Sequence, residues 1–166
     1  MPRILVVYFS RTGHTRAIAK QLAAKLGADV EEIFDPTRRT GFFGYQRSGF
    51  QAFFHRLPPI APAVHNPHDY DLVVIGTPVW DMSVSAPVRA YLRRYRVELP
   101  RVAFFCTCGA MGGERAFGQM SKECDRHPVA TMVLTERELA GPAVPISIAR
   151  FMVHIRAALT AFHRAA

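Results

Sequence analysis

Three runs of consecutive apolar residues constrain this chain more than any other feature: Arg3–Phe9 (RILVVYF), Asp71–Gly76 (DLVVIG) and Arg101–Thr107 (RVAFFCT). They lack the polar alternation of a half-solvated strand, so they read as strands buried on both faces, which belong to parallel sheets covered by helices. Helical patterns lie between them. His14–Leu26 puts Thr15, Ile18, Ala19, Leu22 and Leu26 on one face and ends at Gly27, as a helix closed by a C′ glycine does. Asp29–Phe34 is the expected second strand. Ser85 stands where it can cap a helix with Pro87 in its first turn, running to about Tyr95 with Val84, Val88, Tyr91, Leu92 and Tyr95 inward. Gly112–Cys124 reads as a helix and Val129–Leu134 as a fifth strand. The last helix opens at Pro145, with Ile148, Met152, Ile155, Leu159 and Phe162 at helical spacing. Strands alternating with helices imply an α/β, doubly wound three-layer sandwich built on a five-stranded parallel sheet, in a single domain over 1–166.

One segment breaks the rhythm. Asp35 to Tyr70 is too long for a simple crossover, and an aromatic insert occupies about 36–62. Within it Phe50, Phe53, Phe54 and Leu57 follow i, i+3, i+4, i+7, a short amphipathic helix ended by Pro58-Pro59. That helix packing on the sheet is the simpler reading. The alternative makes Phe42, Phe43 and Tyr45 a flap or subunit contact beside a ligand.

Composition excludes several classes. With 49% hydrophobic and 20% charged residues the chain is an ordinary globular one. No apolar run reaches the roughly 18 residues that would suggest a membrane span, and Met1-Pro2-Arg3 leads straight into the first strand without a signal peptide, so the expected location is the cytoplasm. Cys106, Cys108 and Cys124 are no disulfide framework, and a lone Cys-x-Cys without a second Cys/His cluster is a poor metal signal, so no metal site is expected. Cys124 falls at helical spacing from Phe117 and Met120 and reads as a small core residue. The net charge of +8, from 21 Lys+Arg against 13 Asp+Glu, favours acidic partners, but the arginines are scattered and no nucleic-acid motif accompanies them.

Three segments follow three of the strands. Ser10-Arg11-Thr12-Gly13-His14-Thr15 joins the first strand to the first helix. A helix start offers unpaired N–H groups and the positive end of the dipole, Gly13 allows a tight turn, and the hydroxyls add donors for the three oxygens of a phosphomonoester. An ordinary capped helix start is the competing reading. Neither the NTPase nor the dinucleotide glycine pattern is present. Thr77-Pro78-Val79-Trp80-Asp81 follows the third strand and holds the only tryptophan, at the strand end where open α/β sheets bind ligands. Thr107-Cys108-Gly109-Ala110-Met111-Gly112-Gly113 follows the fourth and is rich in small residues that let backbone amides approach a flat ring.

Together these segments resemble the flavodoxin family, with its Ser/Thr-x-Thr-Gly-x-Thr phosphate loop, aromatic second loop and Gly-rich third loop, and the resemblance covers nearly the whole chain. It implies strand order 2-1-3-4-5 with FMN at the switch point between strands one and three, the placement for which this fold is the standing example. It further implies that Ser10, Arg11, Thr12, Gly13, His14 and Thr15 hold the phosphate, that Thr77, Pro78, Val79 and Trp80 flank the ring, and that Thr107, Cys108 and Gly109 meet its pyrimidine edge. Two departures stand out: the third loop has no tyrosine to stack on the ring, and the chain is basic where electron-carrier flavodoxins are acidic. Three functions follow as expectations. One is an electron-transfer flavoprotein docking an acidic redox partner. Another is an FMN-dependent NAD(P)H:quinone-type reductase, with a homodimer as one arrangement. The third is a non-redox module that keeps the fold, against which the intact phosphate loop argues. No residue stands out as a catalytic acid or base.

Overall fold

The computed structural model describes residues 2–36 and 57–163, apart from the side chains of 162 and 163. The expected aromatic helix and the flap residues Phe42, Phe43 and Tyr45 lie outside the described residues. The elements are β1 (Ile4–Tyr8), α1 (His14–Leu26), β2 (Asp29–Glu32), a 3-10 turn (Pro67–Asp69), β3 (Leu72–Trp80), β4 (Ser83–Val84), α2 (Ala86–Arg94), β5 (Arg101–Cys108), α3 (Gly113–Cys124), β6 (Pro128–Thr135), α4 (Glu136–Leu139) and α5 (Ala143–His163).

The sheet runs β2-β1-β3-β5-β6 with all these pairs parallel, and β4 is paired antiparallel to β3. Counting only the five long strands, this is the expected order 2-1-3-4-5. Because side chains alternate across the pleat, the apolar runs supply both faces at once. Leu5, Val7, Val73, Ile75, Val102 and Phe104 pack under α2 and α3, whose Val88, Leu92, Phe117, Met120 and fully buried Cys124 close that layer. Val6, Tyr8, Leu72, Val74 and Phe105 face α1 and α5 through Ile18, Leu22, Ile148 and Ile155. β2 and β6 are the outer strands of this order. The chain returning before the 3-10 turn runs beside β2, with the Ala61 N–H donating to the Phe34 carbonyl and the Val64 and His65 N–H groups donating to the Glu31 carboxylate.

Several expectations change: the second strand ends at Glu32 rather than Phe34, Val84 lies in β4 rather than on the helix after it, and the last helix opens at Ala143 rather than Pro145. The third strand does not stop at Gly76 but continues to Trp80. β1 ends at Tyr8 opposite Gly76, so beyond that point β3 has no β1 neighbour and Pro78 has no ladder bond to lose on that side. Ser85 does occupy the N-cap position of α2, but its side chain makes no cap: its hydroxyl lies 3.0 Å from that of Thr77. By length and mean hydropathy, 1.2, Ala143–Ala161 passes as a membrane-crossing stretch. Arg150 and Arg156 interrupt it, and its Ile148, Phe151, Ile155 and Leu159 are buried against the sheet.

Candidate functional site

β1, β3 and β5 end at one edge of the sheet, and the chain leaving each meets the others there. After β1, the Phe9 N–H donates to the Gly76 carbonyl, and the chain then turns away. Ser10 is buried, and its Oγ accepts the Gly13 N–H at 3.1 Å. Gly13 sits at the N-cap of α1 with φ 97°, a left-handed backbone that costs a side-chain-bearing residue about 1 kcal/mol or more. No side chain caps α1 and no acidic residue stands in its first turn. Its leading N–H groups and the positive end of its dipole therefore point at the loop with no acidic group of the first turn and no N-cap side chain to neutralise them. Thr15 is buried beneath this loop, its hydroxyl 2.9 Å from that of Thr107, so a short buried hydrogen bond locks the start of α1 to the end of β5. Arg11 and Thr12 are exposed. His14 turns outward into a groove with Ile18, Leu139 and Val144.

The second segment is strand rather than loop up to Trp80. Thr77 is fully buried, its hydroxyl donating to the Pro78 carbonyl at 2.9 Å and accepting the Ser85 N–H at 3.2 Å. Pro78 and Val79 are buried as well, leaving Trp80 as the half-buried member. The Arg11 guanidinium lies 5.6 Å from the centre of the Trp80 ring, a cation–π contact bridging the first and second segments.

Trp80 then reverses into β4 through a two-residue turn, Trp80 pairing with Ser83 and Val79 with Val84. Both turn residues are left-handed, Asp81 at φ 48° and Met82 at φ 57°. This is the conformation a tight hairpin needs and that Asn-Gly or Asp-Gly satisfies without strain. Aspartate tolerates it; methionine adopts it only with strain. What holds Met82 is the neighbouring loop. Gly112 (φ 105°) comes so close that an added Cβ would lie 2.9 Å from the Met82 Cα and 3.2 Å from Val79 Cγ1. The Val84 N–H also donates to Gln119 Oε1 of α3 at 3.0 Å. Replacing Met82 with glycine is expected to raise the unfolding free energy by about 1 kcal/mol, read as a higher midpoint in urea at unchanged slope.

The third segment is also partly strand. Thr107 pairs with Pro78 and Leu134, and Cys108 with Val79 and Thr135, so their backbone belongs to the ladder. The free part is Gly109, Ala110 and Met111, all exposed, with the Gly109 carbonyl accepting the Glu136 N–H. Burial pushes the Cys106 and Cys108 thiols up from their ordinary value, with the Glu138 and Glu136 carboxylates adding to the rise at Cys108. At neutral pH both are unreactive packing groups.

Sequence reasoning missed Met82 in its strained turn and Gln119 holding β4; it read Ser85 only as a helix cap and Gly112 as one of the small residues of the third segment, where the structure sets Ser85 under Thr77 and Gly112 against Met82. It also passed over a readable signal. Thr135 and Glu138 form a capping box, the Glu138 amide donating to the Thr135 hydroxyl at 3.3 Å and Glu138 Oε2 accepting from the Thr135 N–H at 2.8 Å.

No family model matches the chain, and no curated protein matches it. Solved structures do. A candidate flavoprotein from Bacteroides eggerthii matches with a TM-score of 0.70 at 22% identity, over 92% of this chain and 99% of that one. A flavoprotein in complex with FMN from Lactobacillus acidophilus gives 0.65 at 18%, over 84% and 97%. An NADH:FMN oxidoreductase in its apo form gives 0.59 at 15%, over 95% and 90%. With the strand order, the layers and the switch point between β1 and β3 already established, these matches agree on the architecture: the chain has the flavodoxin-like fold.

Proposed function

We propose that this chain binds FMN non-covalently at the carboxyl edge of its sheet and passes electrons through it. The observation that carries the reading is the uncapped, acid-free start of α1 behind a left-handed Gly13, set among the hydroxyls of Ser10, Thr12 and Thr15. Such a start is a ready site for a terminal phosphate. The residues present suit the rest of the group too. Trp80 offers an indole face, and the exposed Gly109–Met111 segment leaves the ladder just after Cys108, the partner of Val79. FMN, when bound, supplies reversible one- and two-electron chemistry of its own. The chain's part is to anchor the phosphate, bury the ring edge and orient it with Trp80. No proton transfer by a side chain is required of it.

Two expected outcomes test the placement of Trp80. FMN should quench the single-tryptophan fluorescence, and Trp80→Ala should weaken FMN binding by about 1 kcal/mol, roughly fivefold. Unchanged affinity together with an unchanged flavin spectrum would remove Trp80 from the site.

A second reading, an FMN-dependent NAD(P)H:quinone-type reductase, is favoured by one observation. The third loop presents Gly109, Ala110 and a 69% exposed Met111 where a stacking ring would otherwise cover the site, leaving room for a flat acceptor. NADH and NADPH oxidation against a quinone panel separates the two: turnover identifies a reductase, and its absence leaves a carrier whose basic surface selects an acidic redox partner.

A further inference from the structure

The helix layer formed by α1 and α5 differs from the layer on the other side of the sheet. Neither helix contains an aspartate or glutamate over its whole length. Lys20, Lys25, Arg150 and Arg156 are exposed on them and, among the described residues, none is in an ion pair. Among the described residues of this layer Arg16 of α1 alone has a partner, Glu32 at the end of β2. The opposite layer carries acidic groups of its own, Glu114 and Glu123 on α3 and Asp125 at its C-cap: Arg89 and Arg93 share Glu123, and Arg96 pairs with Asp125. Part of the chain's excess positive charge is therefore concentrated, uncompensated, on one face.

The same face carries exposed aliphatic surface. α5 buries one side against the sheet, yet Ile146 is 63% and Val153 65% exposed, two turns apart on its outer side. At 100° per residue Arg150 and Arg156 fall on either side of the line joining them. Only 33% of the apolar stretch Ala143–Ala161 is buried.

We propose that this face docks on a bilayer surface rich in anionic lipid, with α5 lying in the interface plane. The charge pattern selects the occupant. A second copy of the chain would set cations against cations, since neither helix has an acidic residue to offer. A bilayer surface accepts aliphatic side chains at the acyl boundary and lets long cationic side chains reach the headgroups, with no need for matched hydrogen-bond geometry. The docking is peripheral: the buried side of α5 stays on the sheet.

The test is co-sedimentation of the full chain with phosphatidylcholine vesicles, with and without phosphatidylserine, at low and physiological salt. The chain should partition onto the phosphatidylserine vesicles, ignore the neutral ones and be released by added salt. Each cation lost should lower the partition coefficient about fivefold, so the double reversal Arg150→Glu/Arg156→Glu, which also adds two repelled carboxylates, should lose about twenty-five-fold or more. Ile146→Asp/Val153→Asp should also weaken binding, and if that variant fails to fold the arginine variant still decides. Arg115→Glu/Lys122→Glu, on exposed positions of α3, should bind like the parent chain. The proposal is overturned if the parent ignores anionic vesicles, if the α5 variants bind unchanged, or if the α3 variant loses as much as they do. Retention on soluble polyglutamate without vesicle binding would also overturn it and assign the face to an acidic protein.

Discussion

Riboflavin is expected to bind this chain at least about 100-fold more weakly than FMN. The difference between the ligands is the terminal phosphate, and hydrogen bonds to a charged group contribute about 1.5–3 kcal/mol each. Two such bonds from the start of α1 and the hydroxyls around it account for about 3 kcal/mol, roughly a 150-fold ratio. FAD should also bind less well, because a diphosphate bridge carries a further group where Ser10 to Thr15 close around a terminal one. Gly13 supplies a clean way to address the loop alone. An added Cβ there meets nothing within 4 Å, so Gly13→Ala changes the backbone and not the packing. Its φ of 97° is strained for alanine, and relaxing it rotates the N–H groups at the head of α1. FMN affinity should fall about tenfold while riboflavin affinity stays, so the measurement is the ratio of the two dissociation constants. Equal binding of FMN and riboflavin by the parent chain would remove the phosphate role from this loop.

Gly76→Ala is expected to destabilise the fold by about 3 kcal/mol, lowering the thermal midpoint by roughly 10 °C. Gly76 sits in the middle of β3, between Tyr8 of β1 and Phe105 of β5. The Phe105 ring lies directly over it: a Cβ would come within 2.1 Å of one ring atom and 2.4 and 2.7 Å of two others. Phe105 is fully buried in the cluster beneath α1 and α5, so the ring cannot swing aside without disturbing Ile18 or Ile148. Combining Gly76→Ala with Phe105→Leu should recover part of the loss, a coupling that thermal or urea unfolding of the four variants would measure. Additive effects would show that the contact is not the cause.

What the sequence revealed and what it hid divide along the range of the forces involved. α1 is legible to the residue because its signals are local: a glycine at each end and a 3.6-residue stripe between them. The buried strands are legible because covering both faces of a parallel sheet leaves long apolar runs. The end of β3 is not, because Thr77-Pro78 reads as a turn and only the early end of β1 makes a proline acceptable there. β4 is two residues long, too short for any period to show. The same division runs through the site. Ser10, Gly13 and Thr15 are visible as a loop of hydroxyls and glycine at a helix start. That Thr15 is locked by Thr107, 92 residues away, and that Ser85 spends its hydroxyl on Thr77 rather than on its own helix, are facts of packing that no local pattern encodes. The strained Met82 is likewise invisible, since its conformation is imposed by Gly112 and Gln119 from another element.

The most direct test of the central claim is a reductive titration of the chain after incubation with FMN and removal of unbound ligand. The account predicts one FMN per chain, with a perturbed flavin spectrum that bleaches on stepwise addition of dithionite and returns on re-oxidation. A chain that retains no FMN, or one whose bound FMN cannot be cycled, would contradict it.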